Sequence, residues 1–139
     1  MGQQQLLLIV LGVIIVGIAI VVGINLFTAS SVEANKDGLV ADNLNIASLA
    51  QQFYKKPAAM GGGDNTYTGW TIPANLQSSA NGSFAAVVAA QQVTITATGN
   101  VQDADGNVYQ VVTTVTPTGP GGGISTATPT LVAAAGGEE

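Results

Sequence analysis

The sequence contains no cysteine, no histidine and no arginine, and only 8% of its 139 residues are charged. Without cysteine or histidine, a disulfide framework, a Cys/His zinc site, a thiol nucleophile and a histidine general base are all excluded. Three lysines oppose eight acidic residues, giving a net charge of −5 that argues against a nucleic-acid-binding surface. No set of nucleophile, base and orienting residue can be assembled, so no catalytic residue and no cofactor is predicted.

The scarce charge indicates a chain that buries much of its surface in a membrane, in partners or in both. Residues 6–24 contain only Leu, Ile, Val, Ala and Gly. As a helix they span about 28 Å, close to the thickness of a bilayer core, which predicts a transmembrane helix. A secretory signal peptide fits less well, because its apolar stretch is shorter and follows a basic start.

The flank before this apolar run carries no positive charge, and the first lysine is Lys36. A single-span protein usually has Lys or Arg on its cytoplasmic side. Either the orientation signal is missing or a basic leader has been removed, and we favour removal.

The helix is predicted to continue through residues 25–54, which contain no proline and one glycine, Gly38. Lys55 and Lys56 suit the negative end of the helix dipole, and Pro57 disfavours helix at the residue before it. A helical wheel gathers an apolar stripe on one side of this second half. The stripe comprises Leu39, Asn43, Ile46, Ala47, Ala50, Phe53 and Tyr54.

Beyond Pro57, β-branched and turn residues predominate. The pattern predicts strands at 84–88, 93–98 and 108–116, the last two forming an antiparallel hairpin. Residues 67–72 are expected to form a short strand or extended segment, and 124–133 a last edge strand in which Pro129 is tolerated. Residues 118–123 are predicted to form a Gly/Pro loop and 136–139 a frayed tail.

These features predict an α+β fold in which a long N-terminal helix, about residues 3–56, packs on a small antiparallel sheet of three or four strands. Three regions follow. Residues 1–27 form an apolar transmembrane or filament-core half of the helix, 28–57 its amphipathic half, and 58–139 a β headgroup with a flexible C-terminal tail.

This layout resembles a bacterial type IV pilin. The resemblance rests on the short uncharged start, the apolar segment that runs unbroken into an amphipathic half, and the small β headgroup. The stretch from Asn35-Lys36-Asp37 to Lys55-Lys56-Pro57, then Gly61-Gly62-Gly63 and Gly69-Trp70-Thr71-Ile72-Pro73, is also similar to pilin-like sequences. The resemblance to pilins covers the whole chain in the order of its elements, and it is specific only for about the first 57 residues.

The resemblance implies that a prepilin peptidase removes a basic leader and that the new N-terminus, at Met1, is methylated. Cleavage between Gly2 and Gln3 is the alternative. Two positions depart from the family. Gln5 stands where Glu is usual, so it offers the N-terminal amine of a neighbouring subunit a hydrogen bond but no ion pair. Val22, beside Gly23, stands where a helix-breaking proline is usual.

The resemblance further implies a helical homopolymer at the cell surface, with an inner-membrane pool before assembly and the pilus assembly machinery as partner. Helix flexibility and close helix approach are assigned to Gly12, Gly17 and Gly23. Subunit assembly is assigned to Met1, Gln5, Leu6, Leu7, Leu8, Ile9, Val10, Leu11, Ile14, Ile15, Ile18, Val21 and Val22.

The predicted function is therefore a structural subunit of a filament for surface attachment or motility. Two alternatives stay open. The chain is a minor pilin or pseudopilin of a secretion or DNA-uptake system, or it is a single-span membrane protein that displays a small β binding domain.

Three local patterns suggest further hypotheses. Asp103, Asp105 and Asn107 match the opening of a calcium loop but lack its distal Glu, so a hairpin turn at Asp-Gly is favoured over a metal site. Asn81 begins a glycosylation sequon, although Asn-Gly is also a turn signal. Candidate O-glycosylation positions are Thr116, Thr118, Ser125, Thr126, Thr128 and Thr130.

Three residues are assigned structural roles. Trp70, the single tryptophan, is expected to anchor the sheet against the helix. Glu33 and Lys36 are expected to pair on the helix surface, since residues three apart are neighbours there.

Overall fold

The computed structural model describes residues 2–117 and 123–134. Helix α1 runs unbroken over Gly2–Lys55, and the strands are β1 (Gly82–Ala89), β2 (Gln92–Gly99), β3 (Asn107–Thr116), β4 (Gly123–Thr126) and β5 (Thr130–Ala133). Short 3-10 turns occupy Ala58–Met60 and Ala74–Leu76. The predicted α+β fold is confirmed. The hypotheses on Met1, on Thr118 and the rest of loop 118–122, and on the tail 136–139 lie outside the described residues.

The sheet is antiparallel with the order β1-β2-β3-β4, and β5 also pairs with β3. The predicted β2–β3 hairpin is confirmed, with Val93 opposite Val115 and Thr98 opposite Gln110. The predicted count of three or four strands becomes five, because the expected strand over 124–133 is divided. Its two pieces pair with opposite ends of β3, and Pro129, which has no N–H, lies in the gap.

The strand alternative for residues 67–72 is wrong. The chain turns there, with the Trp70 N–H donating to the Tyr67 carbonyl at 2.9 Å and Gly69 at a φ of 86°. The turn nevertheless brings Tyr67, Trp70 and Ile72 into the core. Trp70 is 6% exposed, so its predicted role as a packing anchor is confirmed.

The core lies between the second half of α1 and the inner face of the sheet. The helix contributes Leu39, Ile46, Ala47 and Ala50, and Phe53 and Tyr54 pack against them partly buried. The sheet contributes Val93, Ile95, Ala97, Val111 and Val115, every second residue along much of β2 and β3. The stripe on α1 therefore forms the second layer of the headgroup, as its periodicity predicted.

The polar side chain of Asn43 lies within this core. The fully buried Asn43 amide donates to Thr113 Oγ1 at 2.7 Å, and the Ile95 and Val111 carbonyls lie 3.3–3.4 Å away. These oxygens fix the amide orientation, because carbonyls cannot donate. Asn43 thus fixes the position of α1 along its axis relative to β2 and β3.

We expect Asn43→Asp to destabilise the headgroup by about 3 kcal/mol or more at neutral pH, because a carboxylate would face those carbonyls without a counter-ion. Burial would raise its folded pKa, so the penalty is full above that pKa and shrinks as the pH falls. Urea unfolding at several pH values measures both effects. Asn45→Asp, on the exposed side of α1, is the matched control, and an equal loss in both variants would contradict the role of Asn43.

Candidate assembly surface

The first half of α1 leaves its apolar side chains uncovered by the headgroup. Seventeen large hydrophobic residues between positions 6 and 27 are 51–75% exposed. They are Leu6, Leu7, Leu8, Ile9, Val10, Leu11, Val13, Ile14, Ile15, Val16, Ile18, Ile20, Val21, Val22, Ile24, Leu26 and Phe27. A contiguous apolar surface of this kind marks contact with a membrane or another protein.

These side chains surround the helix rather than lining one face. A helix that is apolar all round belongs in a bilayer or in the interior of a larger assembly. Within α1 there is a window long and apolar enough to cross a membrane, and none of that window is buried by the rest of the chain. The helix therefore has one half adapted to an apolar environment and one half adapted to the headgroup.

The three glycines of the apolar run, residues 6–24, leave open space beside the helix. A Cβ placed on Gly12, Gly17 or Gly23 would meet no atom within 4 Å. Gly12, Ala19 and Gly23 lie within about 20° of one line at 100° per residue, so this face allows close approach of a second helix. The helix is unbroken through Val22 and Gly23. The assigned bending of the glycines stays a prediction.

The polar start of α1 is exposed as well. Gln3, Gln4 and Gln5 are all accessible, and within the described residues none has a side-chain hydrogen bond. Gln5 is thus placed one turn from the end of the helix with its amide open to a partner. Its assigned role in subunit registration stays a prediction.

The amphipathic half of α1 carries a polar cluster that no local sequence pattern predicts. Asn35 Nδ2 donates to the Asn81 carbonyl at 2.7 Å, and Asn100 N–H donates to the same oxygen at 3.1 Å. Asn81 Nδ2 donates to Asp42 at 2.8 Å. A Cβ on Gly38 would lie 2.7 Å from Asn81 Oδ1, so glycine lets the loop approach the helix. The cluster fastens α1 to the ends of β1 and β2.

This cluster bears on the glycosylation hypothesis. Asn81 Nδ2, the atom that would carry a sugar, already donates to Asp42, and the side chain is half-buried. Among the O-linked candidates, Thr116 Oγ1 accepts from Gly123 N–H, and Thr126 Oγ1 lies 3.2 Å from Thr113 Oγ1. Among the candidates that the structure describes, the exposed residues are Ser125, Thr128 and Thr130.

The Asp103 loop forms a turn. Asp103 Oδ1 accepts from the N–H groups of Asn107 at 2.8 Å and Asp105 at 2.9 Å, and Gly106 has a φ of 84°. The backbone N–H of Asn107 is the main cause that lowers the pKa of Asp103. The described residues contain no group of three or more acids arranged for a metal ion. The turn predicted at Asp-Gly is present, and the calcium alternative gains no further ligand from these residues.

The predicted surface pair is present. Lys36 Nζ donates to Glu33 Oε1, and Lys36 also lies 5.7 Å from the centroid of the Tyr109 ring. The hydrogen bond with Glu33 is the main cause that raises the pKa of Lys36. The contact with the Tyr109 ring connects this part of α1 to β3.

Comparisons with protein families, with curated proteins and with solved structures found no match for this chain.

Proposed function

We propose that this chain is the structural subunit of an extracellular filament of the type IV pilus kind, which polymerises through the first half of α1. One observation carries the proposal. A single unbroken helix packs its apolar stripe on the headgroup over its second half and exposes 17 large apolar side chains over its first. The headgroup covers the apolar stripe of the second half and leaves the apolar side chains of the first half without a partner in the chain.

Assembly would exchange one apolar environment for another. Before assembly, residues 6–24 would lie in the inner membrane, where about 28 Å of helix matches the bilayer core. Transfer into a bundle of identical helices changes the hydrophobic free energy little, so packing at Gly12, Ala19 and Gly23 supplies the preference. Copies that all point the same way make heterologous contacts, which extend into a fibre if they do not close into a ring.

In this proposal the headgroups cover the outside of the filament and hydrate it mainly through Thr, Asn and Gln. A prepilin peptidase and a pilus assembly machinery process and export the chain. Gln5 accepts a hydrogen bond from the N-terminal amine of a neighbour, which sets register without an ion pair. Surface attachment or motility is the role that we assign to the filament.

A single-span membrane protein that displays the β headgroup is the second candidate, because the same exposed segment has the length of a bilayer span. The two candidates differ in what surrounds the apolar half of α1. In the membrane protein it is lipid, and in the filament it is copies of the same helix.

The test is to shear surface material from cells that express the chain, to image it and to identify its main protein by mass spectrometry. The proposal expects thin filaments composed of this chain and missing from a deletion strain. Recovery of the chain only from membranes, as a monomer, would contradict it.

We expect Gly12→Leu to reduce filament yield about tenfold or more, because the side chain would separate helices that approach at glycine. The subunit itself should fold normally, since the open space around Gly12 accepts a Cβ and leucine is the better helix former. Yield is measured as sheared protein relative to the membrane pool. Ala41→Leu, on the exposed side of the amphipathic half, is the control. Unchanged yield for Gly12→Leu would contradict close packing there.

A further inference from the structure

A groove of about 540 Å³ lies between α1 and the β2–β3 loop, at the end of the headgroup nearest the apolar half. Its apolar lining includes Val32, Tyr109 and Leu131. Leu131 is 48% exposed although it belongs to β5, so the groove leaves apolar surface uncovered at this end of the headgroup.

Acidic side chains edge this groove: Glu33 from the helix, and Asp103 and Asp105 from the loop. Glu33 is paired with Lys36, and one Asp103 oxygen is occupied by the backbone of its own turn. The exposed Asp105 carboxylate has no hydrogen bond or ion pair with any described residue. The groove is thus apolar within and negative at its edge, which fits a cation on an aliphatic stem.

The opposite end of the headgroup is basic. Lys55 and Lys56 are both exposed, and across the described residues the one ion pair is that of Lys36 with Glu33. Asp64 comes near, since its N–H donates to the Lys56 carbonyl at 3.0 Å, but its carboxylate does not reach either ammonium group. Glu33 and Lys55 lie on the same helix about 33 Å apart at 1.5 Å per residue, so the basic end cannot meet the groove of its own chain.

We propose that Lys55 and Lys56 of one copy dock into the acidic groove of the next copy along the filament. This inference rests on the proposed function. The chain has three lysines, and Lys36 is already paired with Glu33 of its own helix. In parallel copies the basic end of one headgroup faces the groove end of the next, and the contact offsets them by about 33 Å along the helix axis. The partner of this groove is therefore a second copy of this chain.

Carbodiimide treatment of intact native filaments tests the contact, because it joins a lysine amine to a carboxylate that touches it. We expect mass spectrometry to find Lys55 or Lys56 joined to Glu33, Asp103 or Asp105. Such a link must connect two copies, given the distance within one chain. Filaments in which these lysines are joined only to other acids, or to none, would overturn the contact and leave the proposed function standing. Absence of filaments would overturn both.

Charge reversal is a second test of the contact between the lysines and the groove. Asp105→Lys and Lys56→Glu should each lower filament yield at least about tenfold through like-charge contact, and the double variant should recover most of it. Asp37→Lys, an exposed acid on α1 outside the groove, is the matched control and should assemble normally. Equal effects of Asp105→Lys and Asp37→Lys, or no recovery in the double variant, would overturn the contact.

Discussion

Replacing Ile14 by glutamate is expected to lower filament formation at least about 100-fold. Ile14 lies in the middle of the uncharged run, and its side chain is 53% exposed in the isolated chain. A charged side chain at the centre of an apolar helix costs about 2.5–3.5 kcal/mol on insertion scales, and every copy in the filament would bear this cost. The measurement is the amount of sheared filament protein relative to total chain.

Two controls isolate the cause. Ile14→Leu keeps the apolar surface and should assemble. Val87→Glu places the same charge on the headgroup, where Val87 is 74% exposed, and should leave yield within about twofold because surface changes are well tolerated. Normal yield for Ile14→Glu would show that the apolar half of α1 is not the surface on which copies meet.

Replacing Leu39 by alanine is expected to destabilise the headgroup by about 3 kcal/mol, within the usual range for a buried Leu→Ala change. Leu39 is fully buried, and its Cδ1 would lie 3.1 Å from a Cβ on Gly99, so the helix packs tightly on the sheet there. Urea unfolding of the full chain in detergent, followed by the fluorescence of Trp70, reports the change. Trp70 suits this use because it is the single tryptophan and is buried.

Leu44→Ala is the matched control on the same helix. Leu44 is 41% exposed, so the same substitution should cost less than about 0.5 kcal/mol. If the two variants lost equal stability, the stripe on α1 would not be the layer that completes the headgroup core.

The parts of the fold that follow from local pattern were predictable from sequence. The uncharged run and the 3.6-residue stripe define α1 and its buried face, and alternation in Val93 and Ile95 defines β2. The division of the last strand at Pro129 was harder to predict. The missing N–H of Pro129 indicates that strand pairing weakens there, but it does not indicate that β4 and β5 both pair with β3. The turn at Gly69 was missed because residues 67–72 also suit an extended segment.

The polar contacts could not be predicted from the sequence for a different reason. Asn35 contacts Asn81, 46 residues away, and Asn100, 65 residues away. No local sequence pattern predicts contacts over such separations. Asn43 gave a partial signal, since an amide on an otherwise apolar stripe needs a buried partner, but Thr113 as that partner is visible only in the folded chain. The groove beside Asp105 arises in the same way, from elements that are distant in sequence.

Helical reconstruction of the sheared filaments from electron micrographs tests the central claim most directly. We predict a core in which residues 6–24 of neighbouring copies pack with helix axes about 8–10 Å apart, with the β headgroups on the outside. Filaments of this chain joined only through their headgroups, with the apolar helices apart, would contradict it. So would a chain found solely as a monomer in the membrane.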